Sequence, residues 1–377
     1  MTKADIIIVG GGTCGLYLSS ELASYGFKVI VLEKKSSTDE NIICAGVVSK
    51  RLFEEFDLPK DSIIDSLKRI RVISPCNNVI DYEHPYDIAY ILDRKLFNKR
   101  LEAKAKAHNV EIKLQTEINK IELTKHNIEI YSKQNNKYSA KLVVLATGVS
   151  YTLNKQLGLG IPQNFLKGAQ IEYDSNSIEL PTLYIGNSIA PGAFAWILPV
   201  MKNKIRLGLI TDKNPRPYAI NLFNIINPQN KSIKNPEFKY KPIAQGIAIP
   251  SINDRIIAVG EAAGQVKTTT GGGIYFGLLA SGIASKVIKK SFDCNNFSYS
   301  FLSEYETNWH KILKNNILTG YKIRKTYSKL TDSKIEDIFS IIKHDGIIKT
   351  VQKIGDFDWH IPLLCKIINK LSLFHKN

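Results

Sequence analysis

The sequence predicts an α/β fold in which a parallel sheet is interrupted by an inserted antiparallel sheet and followed by a helical C-terminal region. Three observations support this prediction. Short runs of β-branched residues end in glycine at three distant places, segments of alternating apolar and polar residues lie between them, and apolar residues have helical spacing from Phe301 onward. Because the glycine-terminated runs are far apart in the chain, we expect the parallel sheet to be assembled from separate segments.

The composition is that of a globular protein with a large positive charge. The 377 residues allow about two domains. With 44% hydrophobic and 23% charged residues, the chain is neither collagen-like nor of low complexity. Its net charge of +16 favours anionic partners such as phosphates, nucleic acid or an acidic membrane face. The alternative is an ordinary lysine-rich surface in contact with solvent.

The cysteines and the N-terminus indicate a reducing, cytoplasmic location. Five cysteines without C-x-x-C spacing argue against a disulfide framework and against a structural zinc site, so no metal is expected. The N-terminus lacks the apolar region of a signal peptide. Since no uninterrupted apolar stretch reaches about 18 residues, we expect any membrane contact to be peripheral, on the inner face.

The first part of the chain has a strand, a glycine motif and a helix in succession. Residues 5–10 predict a buried parallel strand because four consecutive residues are Ile or Val. The motif G-x-G-x-x-G follows, formed by Gly10, Gly12 and Gly15. Residues 16–25 then predict a helix that Gly26 would end.

A second strand at residues 28–32 ends in Glu33. The glycines allow a tight turn and the close approach of a pyrophosphate to the helix N-terminus, and the carboxylate eighteen residues after Gly15 suits a ribose 2′-hydroxyl. Strand, motif, helix, strand and acid in this order predict a dinucleotide site, against the alternative of a structural glycine-rich turn. An acid instead of an arginine favours an unphosphorylated ribose, as in FAD or NAD.

Two later segments favour FAD. Residues 255–260 predict a buried strand that runs into Glu261, and Gly271–Gly273 then open the apolar helical run 274–288. The acid suits a ribityl hydroxyl, while the positive end of the helix dipole suits the pyrimidine edge of a reduced flavin. Residues 141–148 predict a third strand with a glycine stop. An enzyme that binds only NAD would not need these elements.

These placements predict a discontinuous domain organisation. We expect a Rossmann-like FAD-binding domain from residues 1–57, 86–160 and 250–290, a substrate-side sheet domain from 58–85 and 161–249, and a helical region from 291–377. The inserted sheet would cover the reactive face of the flavin and form a cavity at the domain boundary. The C-terminal helices would either touch an anionic membrane or only cap the core.

With these elements placed, the chain resembles the geranylgeranyl reductase family of FAD-dependent oxidoreductases, within the p-hydroxybenzoate hydroxylase-like flavoprotein group, over about residues 4–290. Residues 91–101 look like the group's arginine-containing segment at a helix start, with Arg94 in the position that reaches the cofactor. Residues 260–274 are similar to the second flavin motif, with Glu261 for the usual Asp and Thr268 where proline is common.

Two further segments point to a reductase within this group. Cys44-Ala45-Gly46 resembles the cysteine-glycine-glycine segment beside the isoalloxazine, although Asp39 stands where a proline is expected. The segment Phe194–Pro199, followed after eight residues by Gly208, is similar to the substrate motif aromatic-x-Trp-x-Phe-Pro-x8-Gly. Without the resemblance, alternation puts Phe194, Trp196 and Leu198 on one strand face, which is either plain core or a binding wall.

The resemblance implies a reductase that saturates carbon–carbon double bonds of a geranylgeranyl-type isoprenoid lipid by hydride transfer from reduced flavin. The implied ligands of the adenosine half are Gly10, Gly12, Cys14, Gly15 and Glu33. Those of the pyrophosphate, ribitol and ring are Arg94, Glu261, Gly272, Gly273 and Ile274. The implied residues of the active face are Cys44, Ala45 and Gly46, with Cys44, Phe194 and Trp196 as candidate catalytic residues. The proton donor stays open between Tyr275, Cys44 and water, and the electron donor between NAD(P)H and a ferredoxin-like protein.

Three other functions deserve comparison. A monooxygenase or halogenase of the same fold would use oxygen, but the motifs at residues 44–46 and 194–208 argue against it. A quinone-reducing flavoprotein usually carries an iron–sulfur domain with four clustered cysteines, which the sequence lacks. Nucleic-acid binding is disfavoured because the lysines are dispersed and not interleaved with aromatic residues in one module.

Overall fold

The computed structural model describes residues 1–175, 180–201, 203–228, 236–344 and 346–374. In this part of the chain the strands are β1 (Thr2–Lys3), β2 (Ile6–Val9), β3 (Val29–Leu32), β4 (Val47–Ser49), β5 (Ile63–Leu67), β6 (Arg69–Ile73), β7 (Val79–Glu83), β8 (Ala89–Leu92), β9 (Glu111–Lys113), β10 (Ile118–Leu123), β11 (Ile128–Ser132), β12 (Lys137–Ala140), β13 (Leu142–Leu145), β14 (Asn164–Asp174), β15 (Thr182–Ile185), β16 (Phe194–Met201), β17 (Lys204–Thr211), β18 (Lys239–Gln245), β19 (Ile252–Asn253) and β20 (Ile256–Ala258).

The α-helices of the same part are α1 (Thr13–Ser24), α2 (Lys50–Glu55), α3 (Arg94–Ala107), α4 (Thr152–Gln156), α5 (Pro215–Ile226), α6 (Ile274–Asp293), α7 (Tyr299–Trp309), α8 (Asn315–Tyr327), α9 (Asp332–His344), α10 (Ile347–Ile354) and α11 (Ile361–Phe374). Short 3-10 turns occur at Lys60–Ser62 and Gly260–Ala263, and a π-helical turn at His310–Lys314 joins α7 to α8.

The parallel sheet has the strand order β19-β20-β13-β2-β3-β9. The four glycine- or acid-terminated runs seen in the sequence are its neighbouring strands β20, β13, β2 and β3, all parallel. Alternate residues of these strands belong to two different core clusters, one shared with α1, α3 and α6, the other with β10–β12 and α4. Both faces are therefore covered, which is why the strands are apolar throughout.

The glycine motif brings α1 very close to the sheet. The helix begins at Thr13, inside the motif and three residues before the start that the sequence predicted. Gly10 has φ +112°, and a Cβ there would lie 2.4 Å from the oxygen of Ala146, the residue that follows β13. A Cβ on Gly15 would lie 2.0 Å from the Gly10 oxygen. These two positions therefore require glycine for packing, independently of any ligand.

The second large sheet has the order β18-β14-β17-β16-β15-β6-β7. It is antiparallel except for the parallel pair β15–β6. Its outer face packs against α5 through a cluster that includes Leu207, Leu209 and Phe223. Not all of residues 58–85 enter this sheet as the sequence suggested, because β5 pairs with β8 and, with β4, forms a separate three-stranded sheet.

The C-terminal region is helical, as predicted, and its first half belongs to the main core. Trp309 and Leu313 are buried with the residues of α6. Farther on, the Arg324 Nε on α8 donates to Gln245 Oε1 at the end of β18, at 2.9 Å. This part of the region is thereby tied to both large sheets. None of the helices in the described ranges combines the length and the hydropathy that a bilayer-spanning segment requires.

Replacing Gly15 with alanine tests the close approach of α1. The new Cβ would collide with a backbone oxygen that no rotamer change can move, so we expect Gly15→Ala to lower the free energy of unfolding by about 3 kcal/mol or more. Gly282→Ala is the matched control, since Gly282 lies inside α6 and, apart from its chain neighbours and the backbone of its own helix, no described atom lies within 4 Å of its Cβ position. That variant should be neutral or up to about 1 kcal/mol more stable. Equal melting temperatures for both variants in thermal denaturation would contradict the packing argument.

Candidate functional site

The turn between β2 and α1 forms an open cradle. Gly12 is the N-cap of α1, no side chain of the described residues caps this end, and a Cβ on Gly12 would meet no described atom within 4 Å. Beside the turn, Glu33 follows β3 and is buried; its two carboxylate oxygens accept from the backbone N–H groups of Gly11 at 2.6 Å and Lys35 at 3.0 Å. The cradle thus combines a helix N-terminus with space for an anion, next to a fixed carboxylate.

Arg94 supplies a buried positive charge at this cradle. Asp93 caps α3 by accepting from the N–H groups of Lys95 and Leu96, and this cap places Arg94 in the first turn. The Arg94 Nη2 donates to Thr13 Oγ1 at 2.8 Å. Its Nε and Nη1 are buried without a hydrogen-bond partner among the described residues. Burial lowers the pKa of Arg94, although the neighbouring Cys44 acts in the opposite direction.

Unpaired guanidinium nitrogens beside an open helix N-terminus fit a pyrophosphate. Buried polar groups in native proteins are nearly always paired, and a guanidinium matches phosphate oxygens well. The described residues therefore have the features that the diphosphate of a dinucleotide requires.

The side chain of Cys14 is turned away from the cradle. Its Sγ lies against α6 and the preceding turn, 2.5 Å from the position that a Cβ on Gly277 would take and 2.9 Å from that of Gly260. Burial raises the pKa of this thiol to about 11. Any contribution of Cys14 to ligand binding would therefore come from its backbone.

The segment of residues 44–46 is enclosed by two arginines. Gly46 has φ +74°, and a Cβ there would lie 2.5 Å from Arg206 Nη1 and 3.2 Å from Arg94 Cγ. The same Arg206 Nη1 donates to the Ala45 oxygen at 2.5 Å, and its Nε donates to Glu172 at 2.6 Å. The segment is therefore held between α3 and the second sheet, and glycine is required at position 46.

Glu261 lies in the 3-10 turn that follows β20, a strand that ends at Ala258, two residues before the predicted end, and it forms an ion pair with Lys241 of β18. Lys241 Nζ is 2.7 Å from Glu261 Oε2, and the Ala244 N–H donates to Oε1 at 3.3 Å. Burial acts to lower the pKa of Lys241, but the charge and hydrogen bond of Glu261 outweigh it and raise that pKa. The carboxylate thus joins the two sheets at the site.

The N-terminus of α6 points into the same region. Gly273 is its N-cap, and no side chain of the described residues caps it. In the preceding loop, Gly271 lies against Ile210 and Ile243 of the second sheet, since its Cβ would be 3.7 and 3.3 Å from their methyl carbons. Thr268, which stands where the family usually has proline, donates its hydroxyl to the Ile317 oxygen of α8 at 2.6 Å.

A segment of the C-terminal region, residues 355–360, contacts the loop that precedes α6 through Lys267. Lys267 Nζ forms a buried ion pair with Asp358 at 2.8 Å and donates to the Phe357 oxygen at 2.9 Å. Trp359 packs on Phe276 of α6 with ring centroids 5.4 Å apart. The loop that opens α6 is therefore fixed by residues about ninety positions away.

The apolar wall predicted from residues 194–198 is present and packs against the segment that follows Cys44. Phe194, Trp196 and Leu198 belong to one cluster that also contacts Ala45 and Val47. Gly208 is directly opposite Trp196 in the β16–β17 ladder, and a Cβ on it would lie 2.4 Å from the indole Cζ2. The number of residues between Trp196 and Gly208 in the motif therefore sets the register of the β16–β17 hairpin. In this register the indole lies over the glycine.

The wall and the flavin-type elements are close together, but Tyr275 is not part of the wall. Its hydroxyl donates to Glu55 at 2.8 Å, and its ring packs in the core cluster of α6 with Trp359. Burial raises the pKa of Tyr275. Of the two side chains considered as proton donors, Cys44 is the one that lies at the segment facing the wall.

Three charged residues of the site were missed from the sequence: Arg206, Lys241 and Lys267. Arg206 could have been found, because it alternates with Gly208 on the same strand face. Lys241 and Lys267 carry no local signal. Their roles depend on contacts with Glu261 and Asp358, which are distant in sequence.

Comparisons with known proteins agree with this architecture. Residues 7–164 match the family model of pyridine nucleotide-disulphide oxidoreductases. An uncharacterized protein of Methanocaldococcus jannaschii is 27% identical, over 98% of this chain and 96% of its own. A digeranylgeranylglycerophospholipid reductase of the same organism is 26% identical, over 91% of this chain and 92% of its own.

Solved structures show the same fold. A geranylgeranyl bacteriochlorophyll reductase-like protein from Thermoplasma acidophilum superposes with a TM-score of 0.83 at 20% identity, covering 98% of this chain and 96% of its own. A halogenase in complex with FAD superposes with a TM-score of 0.69 at 14% identity, covering 93% of this chain and 85% of its own.

The fold and the comparisons define an oxidoreductase, and they imply a flavin cofactor. Within this class, the resemblance to the geranylgeranyl reductase family is confirmed, because three digeranylgeranylglycerophospholipid reductases are 25–26% identical to this chain over 89–91% of its length.

The contact of the 355–360 segment with the loop should depend on pH through His360. The His360 Nε2 lies 2.7 Å from the Phe357 oxygen and must donate to it, so the neutral ring accepts the Thr269 hydroxyl at Nδ1, at 2.6 Å. Burial, with Lys267 nearby, lowers the pKa of His360 from 6.5 to about 4. The unfolded chain therefore takes up the proton first as the pH falls.

We expect the stability that His360 contributes to be complete above about pH 6.5 and to be lost as the pH falls from 6.5 towards 4. Between pH 7 and pH 5, the free energy of unfolding should fall by about 2 kcal/mol more for the unmodified protein than for His360→Gln, which does not titrate there. Thermal unfolding at the two pH values measures this difference. Identical pH profiles for the two proteins would rule out this role.

Proposed function

We propose that the protein is an FAD-dependent reductase that saturates carbon–carbon double bonds of geranylgeranyl-type isoprenoid lipid chains, like the digeranylgeranylglycerophospholipid reductases to which it is similar. The observation that carries the proposal is the apolar wall. Phe194, Trp196 and Leu198 face the same region as the 44–46 segment and the loop that opens α6. A long apolar substrate would therefore lie between the wall and the flavin ring.

The proposed cofactor contacts follow the geometry of the site. The cradle at Gly10, Gly12 and Gly15, with the Cys14 backbone, would hold the pyrophosphate together with Arg94, and Glu33 would take the adenosine ribose. Glu261 would accept from ribityl hydroxyls, and the helix N-terminus at Gly272, Gly273 and Ile274 would face the pyrimidine edge. Cys44, Ala45 and Gly46 would line the reactive face. The proposed domain division is the one predicted above, with the boundary between the two large sheets.

The chain's own residues would position the alkene and exclude water. When bound and reduced, the flavin supplies a hydride for one alkene carbon. An isolated alkene is a poor electrophile, so the reaction depends on holding it at the correct distance in a dry site. Each methylene buried against the wall contributes about 0.8 kcal/mol, so a twenty-carbon chain provides ample positioning energy without polar contacts.

The second alkene carbon needs a proton. Cys44 lies next to the guanidinium of Arg94 and at the segment that contacts the wall, and the Gly46 N–H donates to its Sγ at 3.4 Å. We propose Cys44, or a water molecule held there, as the proton source. Tyr275 is engaged with Glu55 in another cluster and is not proposed.

The partners of the reaction follow from charge and surface. We propose NAD(P)H or a ferredoxin-like protein as the electron donor, and peripheral contact with an anionic membrane through the C-terminal helices. Helix α11 is rich in Leu and Ile, and its partly exposed positions include Leu363, Ile367 and Ile368. With the net charge of +16, such a surface suits acidic lipid head groups.

An anaerobic assay tests the reaction type. Reduced holoprotein mixed with a geranylgeranyl lipid should be reoxidised, and mass spectrometry should show the lipid gaining two hydrogens per double bond. The same lipid in air serves as the control. A hydroxylated or halogenated product that requires oxygen, with no anaerobic reoxidation, would support the monooxygenase or halogenase alternative instead.

Removing the indole of Trp196 tests the wall. Trp196→Ala should retain bound FAD but lower alkene reduction at least tenfold, because the substrate loses the surface that holds it. Flavin absorbance after gel filtration measures cofactor content, and hydrogen incorporation measures activity. Loss of the yellow cofactor, at equal protein recovery, would show that Trp196 is core that supports the flavin and not a substrate contact.

A further inference from the structure

Lys241 lies at the edge of the sheet face that carries the apolar wall. Phe194 is directly opposite Ile210, which is directly opposite Gly168. Gly168 is in turn opposite Lys241 of β18, the edge strand of this sheet. Directly opposed residues of a sheet project to the same face, so the row that begins with Phe194 ends in a lysine. The wall therefore has one positive side chain at its β18 edge in this row.

The Lys241 side chain crosses from this sheet to the parallel sheet. Its Nζ lies 2.7 Å from Glu261 Oε2. The Glu261 side chain is only 14% exposed, whereas that of Lys241 is 35% exposed. Burial acts to lower the pKa of Lys241, but the charge and hydrogen bond of Glu261 raise it, so the lysine keeps its charge at neutral pH. Lys241 therefore neutralises a mostly buried carboxylate while it remains in contact with solvent.

The ion pair lies among the elements that would surround the flavin. Gly271, in the loop that opens α6, lies against Ile243, which is two residues after Lys241 on the same strand face. The electrostatic influence of Cys44 and Arg94 also reaches Lys241. Lys241 is therefore close both to the 44–46 segment and to the loop that opens α6.

Reduction of a flavin changes the charge at such a place. Two electrons and one proton convert the oxidised ring into a reduced ring with one additional negative charge. An unpaired carboxylate nearby would oppose this change, because like charges repel strongly in a partly buried site. A carboxylate paired with a cation opposes it much less, since the two charges largely cancel. The partner of Glu261 therefore affects how easily a flavin beside it is reduced.

We propose that Lys241 is a positioning residue that acts through Glu261: it neutralises the carboxylate that would hold the ribityl chain, and it thereby raises the reduction potential of the bound flavin. The electrons would come from the NAD(P)H or ferredoxin-like donor of the proposed function, and a higher potential favours their transfer to the flavin. This inference rests on the flavin placement of the proposed function but not on its lipid substrate.

The test measures the midpoint potential of the bound flavin in four holoproteins, by titration with dithionite and mediator dyes in the absence of lipid. Lys241→Met leaves one negative charge at the pair and should shift the equilibrium at least tenfold towards oxidised flavin, which is about 30 mV for a two-electron couple. Glu261→Gln leaves one positive charge and should shift the equilibrium in the opposite direction. The double variant Lys241→Met/Glu261→Gln is neutral again and should return to the potential of the unmodified protein.

Two further variants serve as controls. Lys239 lies two residues before Lys241 on the same strand face, is exposed, and forms no ion pair with the residues that the structure describes. Because solvent and salt screen an exposed charge, Lys239→Met should leave the potential unchanged. Lys241→Arg keeps the charge and should retain the potential of the unmodified protein. If Lys241→Met loses its FAD, the test is decided by the order of the others, in which Glu261→Gln must lie above two equal neutral proteins.

The remaining outcomes are also decisive. Equal potentials in all four proteins, with only a lower melting temperature or FAD content in Lys241→Met, would make the pair a structural link between the sheets and overturn the proposal. A double variant as low as Lys241→Met would exclude a role through Glu261. If the potentials follow the charge but no lipid is reduced, the proposed lipid reduction fails and the inference stands. An unmodified protein that takes up no flavin would overturn both.

Discussion

The register of the β16–β17 hairpin is the constraint on which the site depends. With Gly208 opposite Trp196, the indole lies over the neighbouring strand, and Phe194, Trp196 and Leu198 form an apolar cluster on one sheet face. A shift of one residue would turn this surface to the opposite side, towards α5, and would bring Leu207 and Leu209 to the site. The same register also sends Arg206 to the Ala45 oxygen, so the wall and the 44–46 segment are positioned together.

Buried charge organises the space between the two large sheets. Arg94 and Arg206 enclose Gly46, and Lys241 pairs with Glu261 across the boundary between β18 and β20. Buried charges are costly unless they are paired, and part of the Arg94 guanidinium has no partner among the residues described. Part of the net charge of +16 is therefore concentrated at the site, where it suits the pyrophosphate of a dinucleotide. Other lysines form ion pairs on the surface, such as Lys290 with Glu304.

The C-terminal region does more than cap the molecule. Through Lys267 and Asp358 it holds the loop that opens α6, and through Thr268 it ties this loop to α8. Threonine in place of the family's proline at position 268 therefore has a structural role, because its hydroxyl donates to the Ile317 oxygen of α8. The sequence indicated two equal alternatives for these helices, membrane contact or capping, and carried no signal that they would hold the loop that opens α6.

The sequence by itself determined the parallel sheet, the glycine motif, the position of Glu33 and the apolar wall. These features follow from local rules: β-branched runs, the steric demands of Gly10 and Gly15, and the alternation of Phe194, Trp196 and Leu198 along a strand. Only the tertiary structure decided that the side chain of Cys14 faces α6, that the Tyr275 hydroxyl donates to Glu55, and that Lys241 pairs with Glu261. The physical reason is that those side chains are directed by strand pairing and ion pairs between residues far apart in the chain, for which no short-range pattern exists.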